Sequence, residues 1–150
     1  MINWQLKTFQ QLSLEQLYAL LKLRVDVFVV EQNCPYSDLD DLDTNPQLQH
    51  LLGYHGEQLV AYARLLPAGL THQTPSIGRV IVAKEARRGQ VGYALLEEAI
   101  RATQTLWPNQ PVTIAAQQHL EHFYQNKGFV TISDTFLEDG IPHVHMQLAP

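Results

Sequence analysis

Hydrophobic and polar residues alternate at the start of the chain, and the period then changes to that of a helix. Residues 2–8 place an apolar side chain at every second position, as expected for a half-buried strand. Ser13 is followed three residues later by Gln16, which is typical of a capping box at a helix N-terminus. The apolar positions after Ser13 recur at helical spacing. We therefore predict a strand and then a helix that ends near Glu31.

The middle of the chain predicts a hairpin and then a strand–loop–helix unit. Residues 48–54 and 59–66 are two apolar stretches, and residues 55–58 between them contain a glycine suited to a turn. An antiparallel pair of strands follows from this pattern. Further along, residues 78–83 predict a buried strand and residues 91–105 an amphipathic helix.

The last third of the chain continues the alternation of strands and helices. Residues 111–116 predict an apolar strand, and residues 119–126 predict a helix closed by Gly128. Two further strands are expected near residues 129–133 and 144–148. No internal repeat interrupts this order, so we predict one domain for the whole chain.

Composition and charge narrow the function. At 150 residues, with 45% hydrophobic and 17% charged residues, the chain has the size and composition of a single globular domain, residues 1–150. The net charge is −5 and the ten Lys and Arg residues form no long basic run, which excludes a nucleic-acid partner. A negative surface favours a cationic small molecule, and it also serves solubility.

The expected compartment follows from the cysteine count and the N-terminus. Cys34 is the single cysteine, so an intramolecular disulfide is impossible and a reducing compartment fits. The N-terminus lacks the basic start and apolar stretch of a signal peptide, and no apolar run approaches the ~20 residues that span a bilayer. We expect a cytoplasmic protein with no membrane partner.

The segment between the buried strand and the helix at residue 91 has the properties of an anion site. It contains Arg87, Arg88, Gly89 and Gly92. The first helical turn has unpaired N–H groups and the positive end of the helix dipole, and glycine lets a diphosphate approach the backbone. Either arginine could close over the phosphates. A simple glycine-containing connection with solvated arginines is the alternative that this spacing leaves open.

A second segment, residues 117–129, makes the family recognisable. It follows an apolar strand and combines the aromatic pair Phe123-Tyr124 with a terminal Gly128-Phe129. Together with residues 79–96, it resembles the coenzyme-binding and catalytic motifs of the GNAT superfamily of acetyltransferases. Residues 24–36 and 138–143 are similar to the ElaA-like branch of that superfamily, so the resemblance covers nearly the whole chain. It implies an α/β (α+β) fold, with a mixed, mostly antiparallel central sheet flanked by helices.

The resemblance also implies how acetyl-CoA is held as a co-substrate. Backbone groups of Val80, Ile81 and Val82 would pair with the pantetheine arm. The residues that would wrap the pyrophosphate are Arg87, Arg88, Gly89, Gln90, Val91 and Gly92. Gln117 and Phe123 complete the expected coenzyme contacts. The superfamily pattern usually has glycine at the position of Gln90 and often asparagine at that of Gln117.

The catalytic roles implied by the resemblance are led by Tyr124. The family's tyrosine lies near the thioester sulfur and protonates the departing thiolate, and a well-placed acid or base contributes about 10²–10⁴-fold. Taken alone, an aromatic residue on a helix face is more often a packing residue. The base that accepts the amine proton stays open among Glu31, His119 and His143, and Glu31 is preferred because it ends the ElaA-like phrase.

Metal and acyl-enzyme chemistry find less support in the sequence. His119 and His122 are three apart on a predicted helix, and His143 and His145 share a face if their strand is regular, but no carboxylate or cysteine completes a known ligand spacing. We therefore expect no metal. Cys34 has no neighbouring motif that would activate it as a nucleophile.

The polar segment 32–47 predicts a long surface loop, and such loops often carry function. It contains four aspartates: Asp38, Asp40, Asp41 and Asp43. The run lacks the glycine and the distal glutamate of an EF-hand. We expect solvated carboxylates there, and as a second hypothesis some of them attract a cationic acceptor amine.

These patterns lead to one predicted activity and two alternatives. The predicted activity is transfer of an acetyl group from acetyl-CoA to a small-molecule or peptide amine, by direct attack in a ternary complex. One alternative is a non-catalytic acyl-CoA-binding sensor. The other is an acyl-homoserine-lactone synthase-like enzyme, which the region from Arg24 to Glu31 resembles. The acidic surface argues mildly against it, because acidic carrier proteins need a basic docking patch. A homodimer is left open.

Overall fold

The chain forms a single eight-stranded sheet, described for residues 1–150 by a computed structural model. The strands are β1 (Asn3–Lys7), β2 (Gln49–His55), β3 (Gln58–Leu66), β4 (Ser76–Val82), β5 (Val112–Gln117), β6 (Val130–Thr131), β7 (Phe136–Glu138) and β8 (Ile141–Leu148). They lie in the order β1-β2-β3-β4-β5-β8-β6, and β7 pairs with the first part of β8. Only β4 and β5 are parallel, so the predicted mixed, mostly antiparallel sheet is confirmed.

Three α-helices flank the sheet. They are α1 (Leu14–Arg24), α2 (Val91–Leu106) and α3 (Glu121–Gln125). A π-helical segment, Val25–Glu31, continues α1, and 3₁₀ turns occur at Phe9–Gln11, Lys84–Ala86 and Gln118–Leu120. None of these helices combines the length and the apolar character that crossing a bilayer requires.

The first helix begins and ends where its sequence predicts, but its last turns are wider. The Ser13 hydroxyl accepts a hydrogen bond from the N–H of Gln16, and the Gln16 side chain accepts one from the N–H of Ser13, which confirms the capping box. From Val25 onward the hydrogen bonds span five residues, as in the bond from the N–H of Gln32 to the carbonyl of Val27. The helical backbone still ends at Glu31. Such π-helical turns occur frequently at functional sites.

The sheet separates two hydrophobic clusters, because successive side chains of a strand point to opposite faces. The larger cluster lies on the face covered by α2 and includes Leu51, Ala63 and Leu95. The smaller one lies under α1 and joins Leu20 to Tyr62 and other residues on the α1 face. The strands β2 and β3 are buried on both faces, which is why they read as continuous apolar stretches.

Strand β4 contains a β-bulge at Arg79. Between the pairs Tyr62–Ile81 and Arg64–Gly78, two residues of β4 oppose one residue of β3, and Arg79 takes a positive φ of 51°. This conformation is uncommon for a residue with a Cβ atom. The side chain of Arg79 is held by two contacts. Its Nε lies 2.8 Å from Oδ1 of Asp38, and its guanidinium lies 5.6 Å from the centre of the Tyr36 ring. Bulges bend the strand that carries them, and this one lies three residues beyond Ser76, the single position at which β4 pairs with β5.

The expectation of solvated carboxylates in segment 32–47 is wrong for three of the four aspartates. Asp38 and Asp43 are only 3% and 7% exposed, and Asp40 is half-buried, whereas Asp41 is exposed. They form ion pairs with three arginines of the fold: Arg24, Arg64 and Arg79. The arginines lie 14 to 41 residues away from their partners, so no local pattern reveals the pairing. These carboxylates are therefore not free to attract an amine.

The C-terminal region contains a hairpin that the sequence patterns did not predict. Strands β7 and β8 are joined by Asp139 and Gly140, both with positive φ (52° and 77°), as in the tight turns that suit a hairpin twist. The strand expected near residues 144–148 begins earlier, at Ile141, so that His143 is a buried residue of β8. The strand expected over residues 129–133 is shorter and comprises only Val130–Thr131.

Candidate functional site

The parallel strands β4 and β5 separate soon after they meet, and this leaves a gap in the sheet. They share one paired position, Ser76 with Thr113, and the N–H of Thr113 donates to the carbonyl of Pro75. On its other side, β4 is paired with β3, and the N–H of Ala83 donates to Val60 at 2.7 Å. Backbone groups of a strand alternate in direction, so those of Val82 point into the gap. By the same alternation, the polar groups of Val80 also face the gap, where an extended ligand can pair with them.

The three residues of β4 that were predicted to hold the coenzyme lie on different sides of the strand. The side chains of Val80 and Val82 are half-buried and pack on the larger cluster. Ile81 is buried in the smaller cluster, and its backbone groups turn to β3. The geometry therefore suits ligand pairing at Val80 and Val82, while Ile81 holds the strand.

The turn from Arg87 to Gly92 leads into the N-terminus of α2 with its donors free. Gly89 has a φ of 88°, a conformation that favours glycine. The carbonyl of Gln90 accepts the bond from Ala94, but no side chain caps the helix. The N–H groups at the start of the helix therefore have no protein partner, and they carry the positive end of a 16-residue helix.

The residue at position 90 fits this turn although the superfamily pattern has glycine there. Gln90 is exposed and has a φ of −107°, which any residue can adopt. Gly92 is less restricted than the pattern suggests, because an added Cβ would lie 3.6 Å from the Phe123 ring, an ordinary van der Waals contact. Gly89 is the position of the turn where the backbone conformation itself calls for glycine.

Arg87 is already engaged by two groups of the protein. Its Nη2 atom lies 2.8 Å from Oε1 of Glu31, in a two-pronged ion pair, and its Nε donates to the carbonyl of Val82 at 3.0 Å. The hydrogen bond from Arg87 lowers the pKa of Glu31, against a small opposing effect of burial. A carboxylate with a lowered pKa is a weaker base. Arg88 is exposed.

Replacing Glu31 by Gln tests whether this carboxylate is the base or a partner of Arg87. Because the change frees Arg87 for a phosphate, we expect the Kd for coenzyme A to fall by a factor of up to about five, equivalent to about 1 kcal/mol for an exposed pair. We expect the limbs of the pH–activity profile to stay in place. Calorimetric titration with coenzyme A and rate measurements from pH 5 to 9 provide both readouts. Loss of the acidic limb in Glu31→Gln would instead identify Glu31 as the base.

Gln117 and Gln32 connect the two sides of the gap near its open end. Gln117, at the end of β5, donates to Oε1 of Gln32 at 3.2 Å, and the reverse bond measures 3.5 Å. Gln32 directly follows Glu31, which pairs with Arg87 beyond the end of β4. We call Glu31 and Gln32 the bridge, because they reach from the π-helical segment to both diverging strands. The predicted coenzyme contact at Gln117 thus has a protein partner in this structure.

Tyr124 lies in an aromatic stack beneath the gap. Its ring centre is 5.1 Å from that of Phe123 and 5.9 Å from that of Phe129, both edge-on, and Phe123 in turn lies 4.8 Å from Tyr93. Burial raises the pKa of Tyr124, so the phenol keeps its proton. Its hydroxyl makes no hydrogen bond with the protein, although buried tyrosines usually find a partner. A protonated hydroxyl without a partner is suited to donate to a ligand.

The histidines that suggested metal binding or base catalysis are dispersed. His119 and His122 are both exposed on the 3₁₀ turn and α3. His143 and His145 do share a face of β8, since both rings contact Phe136. No three His, Cys, Asp or Glu side chains are grouped so that they could hold a metal ion.

Sequence reasoning did not predict which side chains surround His143 and His145. His72, from the segment between β3 and β4, meets His145 edge-on with ring centres 5.5 Å apart, and the tilted ring of Phe136 lies 4.5 Å from that of His145. We call His72, His143, His145 and Phe136 the histidine cluster. The alternation in His143-Val144-His145 was a signal for a shared face, but His72 lies more than 60 residues earlier and has no pattern that links it to them.

Comparisons with known proteins show which family the sequence and the fold match. Residues 15–150 match the family model of the acetyltransferase (GNAT) domain. Protein ElaA of Escherichia coli is 46% identical over 146 residues, covering 97% of this chain and 95% of that protein, and its crystal structure superposes with a TM-score of 0.93 over 99% of both chains. An acyl-CoA N-acyltransferase from Pseudomonas aeruginosa is 42% identical, with a TM-score of 0.94 over 99% of this chain and 100% of that chain.

A more distant structure shares the fold. The GNAT family acetyltransferase from Elizabethkingia anophelis, crystallised with acetyl-CoA bound, is 15% identical and superposes with a TM-score of 0.70, covering 99% of this chain and 98% of that chain.

Proposed function

Because the chain belongs to the GNAT acetyltransferase family, and is therefore an acyltransferase, we propose that it moves an acetyl group from acetyl-CoA to an amine by direct attack in a ternary complex. The observation that carries this proposal is the gap between β4 and β5, which begins beyond the single pair of Ser76 and Thr113. It exposes the polar backbone edge of β4 to an amide-bearing ligand, as the pantetheine arm is. The acetyl-CoA-bound relative of the same fold is consistent with this use.

The coenzyme would lie with its diphosphate at the N-terminus of α2 and its thioester toward the closed end of the gap. The free N–H groups of Val91 and Gly92 and the left-handed turn at Gly89 suit an anion. From there the arm runs along β4, where Val82 and then Val80 offer backbone groups. Arg87 and Arg88 would add charge to the phosphate site.

Arg87→Gln tests the phosphate site directly. We expect the Kd for coenzyme A to rise about tenfold, equivalent to about 1.4 kcal/mol for a charge-assisted hydrogen bond, because the variant keeps a polar side chain but loses the charge. We also expect the difference from the unmodified protein to shrink at high salt, since exposed charges are screened. Calorimetric titrations at low and high salt measure both. Arg101→Gln, which removes an exposed arginine from α2 that pairs only with Glu98, is the matched control.

The chemistry proposed for the gap needs an acid on the leaving thiolate and a base on the amine. Holding the thioester and the amine together supplies much of the rate. Tyr124 is the proposed acid, supported by its protonated hydroxyl without a protein partner. The amine approaches from the face of the sheet opposite α2, because the α2 face is filled by the larger hydrophobic cluster.

A thiol-release assay with acetyl-CoA against a panel of amines tests the proposal. We expect release above the hydrolysis background for at least one aliphatic amine. Coenzyme binding without thiol release across the panel would favour the acyl-CoA sensor instead. Release only from an acylated carrier protein would favour the acyl-homoserine-lactone synthase-like activity.

A further inference from the structure

His145 faces the side of the sheet from which an amine can reach the gap. In β8, Val144 and Met146 belong to the larger hydrophobic cluster, so the intervening His145 points to the opposite face. It pairs across the ladder with Ala115 of β5, beyond the last position at which β5 touches β4. The small side chain of Ala115 leaves space between the imidazole and the gap, and neighbouring strands lie only about 4.8 Å apart.

Two rings contact the imidazole of His145. The ring centre of Phe136 lies 4.5 Å away with the ring planes tilted by 32°, and His72 contacts it edge-on at 5.5 Å. The segment that carries His72 is itself fixed at the closed end of the gap, since the hydroxyls of Thr74 and Thr113 lie 2.6 Å apart. His72 therefore lies at the closed end of the gap, where the thioester is proposed to be. His145 is two residues along β8 from the position that pairs with Thr113, whereas His143 pairs with Gln117 near the open end.

Among the three histidines, His145 has the ring nitrogens that are free to react. His143 uses Nδ1 on the carbonyl of Ile141 at 2.7 Å, and His72 has Nδ1 3.0 Å from the hydroxyl of Thr71. The ring of His145 makes no hydrogen bond with the protein. Its backbone N–H donates to the hydroxyl of Ser133, and its carbonyl accepts from the N–H of Ile132. A half-buried, positioned imidazole with open nitrogens is suited to accept a proton.

We propose that His145 is the base that deprotonates the acceptor, and that the acceptor is therefore an amine that is an ammonium ion at neutral pH. This inference rests on the proposed function. One proton passes from the ammonium nitrogen to a ring nitrogen of His145, and the freed lone pair forms the bond to the thioester carbon. The C–S bond then breaks, the thiolate takes the proton of Tyr124, and the second proton of the nitrogen restores that of Tyr124. Each cycle yields an amide, a thiol and one proton.

Three titratable groups lie around His145. His72 faces it from the segment before β4, His143 from its own strand and Glu138 from β7. Burial, followed by the charge of His145, lowers the pKa of His72, so that ring adds no positive charge at neutral pH. His72 and Phe136 are positioning residues in this scheme.

The substitution His145→Gln tests whether His145 deprotonates the acceptor. Only an acceptor that is protonated at the assay pH needs a base. With benzylamine, an ammonium at pH 7, we expect kcat/KM to fall about 10²-fold. We expect this deficit in kcat/KM to shrink about tenfold for each unit by which the pH is raised, because a growing fraction of the amine is then deprotonated without the help of a base. With aniline, already a free amine at pH 7, we expect no deficit. His55→Gln, at the exposed end of β2, is the matched control. An equal deficit for both amines at every pH would overturn the proposal.

A second measurement uses the unmodified protein and needs no acceptor. Diethyl pyrocarbonate modifies neutral, accessible imidazoles, and peptide mass spectrometry follows each of the seven histidines separately. We expect His145 to react readily and to be protected several-fold by saturating acetyl-CoA, while His55 is unaffected. Reaction of His145 that acetyl-CoA leaves unchanged would refute the proposed position. Absence of thiol release with every amine would refute the proposed function, whereas normal release by His145→Gln would refute this inference alone.

Discussion

Tyr124→Phe is expected to lower kcat by about 10²–10³-fold while the Kd for coenzyme A stays unchanged. The variant removes one oxygen, and that oxygen makes no hydrogen bond within the protein, so the fold loses no interaction. The aromatic contacts with Phe123 and Phe129 remain. Any loss of rate therefore reports on the proton that the hydroxyl supplies to the thiolate. Stopped-flow or steady-state thiol release, beside calorimetric coenzyme titration, gives the two quantities.

Tyr18→Phe is the matched control for this prediction, because Tyr18 is an exposed tyrosine of α1 with no part in the gap. We expect its rate to equal that of the unmodified protein. Undiminished turnover in Tyr124→Phe would remove Tyr124 from the mechanism. A raised Kd with unchanged kcat would mean that the hydroxyl serves coenzyme binding instead of proton transfer.

Arg24→Leu is expected to destabilise the protein by about 3–5 kcal/mol, because two buried carboxylates, Asp38 and Asp43, each lose one of the two arginines that pair with them. The Arg24 side chain has no exposed surface, and it bonds Asp38 at 2.8 Å and Asp43 at 2.7 Å. Urea unfolding followed by circular dichroism measures the change. Lys22→Leu, in the exposed ion pair with Asp26 on the same helix, is the control, and we expect no measurable change there.

The same ion pairs predict how the destabilisation caused by Arg24→Leu depends on pH. Burial opposes ionisation of Asp43, but its bonds with Arg24 outweigh burial and lower its pKa, and Arg64 likewise lowers that of Asp40 to about 2. A carboxylate with a lowered folded-state pKa stabilises the fold above its unfolded pKa of about 4, and this stability is lost as pH falls toward 2. The difference between Arg24→Leu and the unmodified protein should therefore narrow below pH 4. A difference independent of pH would indicate lost packing alone.

The local elements of this fold were predictable because their signals are short-range. The Ser13–Gln16 capping box and the glycine turn between β2 and β3 each act within four residues, and both appear where expected. The β7–β8 hairpin also has a local signal, Asp139-Gly140, but the three residues of β7 are too few to show an alternating pattern. Because the hairpin was not predicted, the last strand was expected to begin near residue 144 and not at Ile141.

The coenzyme side of the site was more accessible to sequence reasoning than the acceptor side. The turn and the helix that would hold the diphosphate are contiguous, from Arg87 into α2. The acceptor face instead combines residues 72, 136 and 145, which only the sheet brings together. The prediction of solvated carboxylates in segment 32–47 was wrong for the same reason. The arginines that pair with these carboxylates, Arg24 and Arg64, lie in α1 and β3, and only the fold brings them together.

The bridge of Glu31 and Gln32 closes the open end of the gap only weakly. It is built from an exposed ion pair worth roughly 0–1 kcal/mol and an amide pair worth roughly 1 kcal/mol per bond. The two hydrophobic clusters do not depend on it. The diverging ends of β4 and β5 can therefore move apart by thermal fluctuation at little cost in free energy. The coenzyme that we propose for the gap could then bind or dissociate while the folded core stays intact.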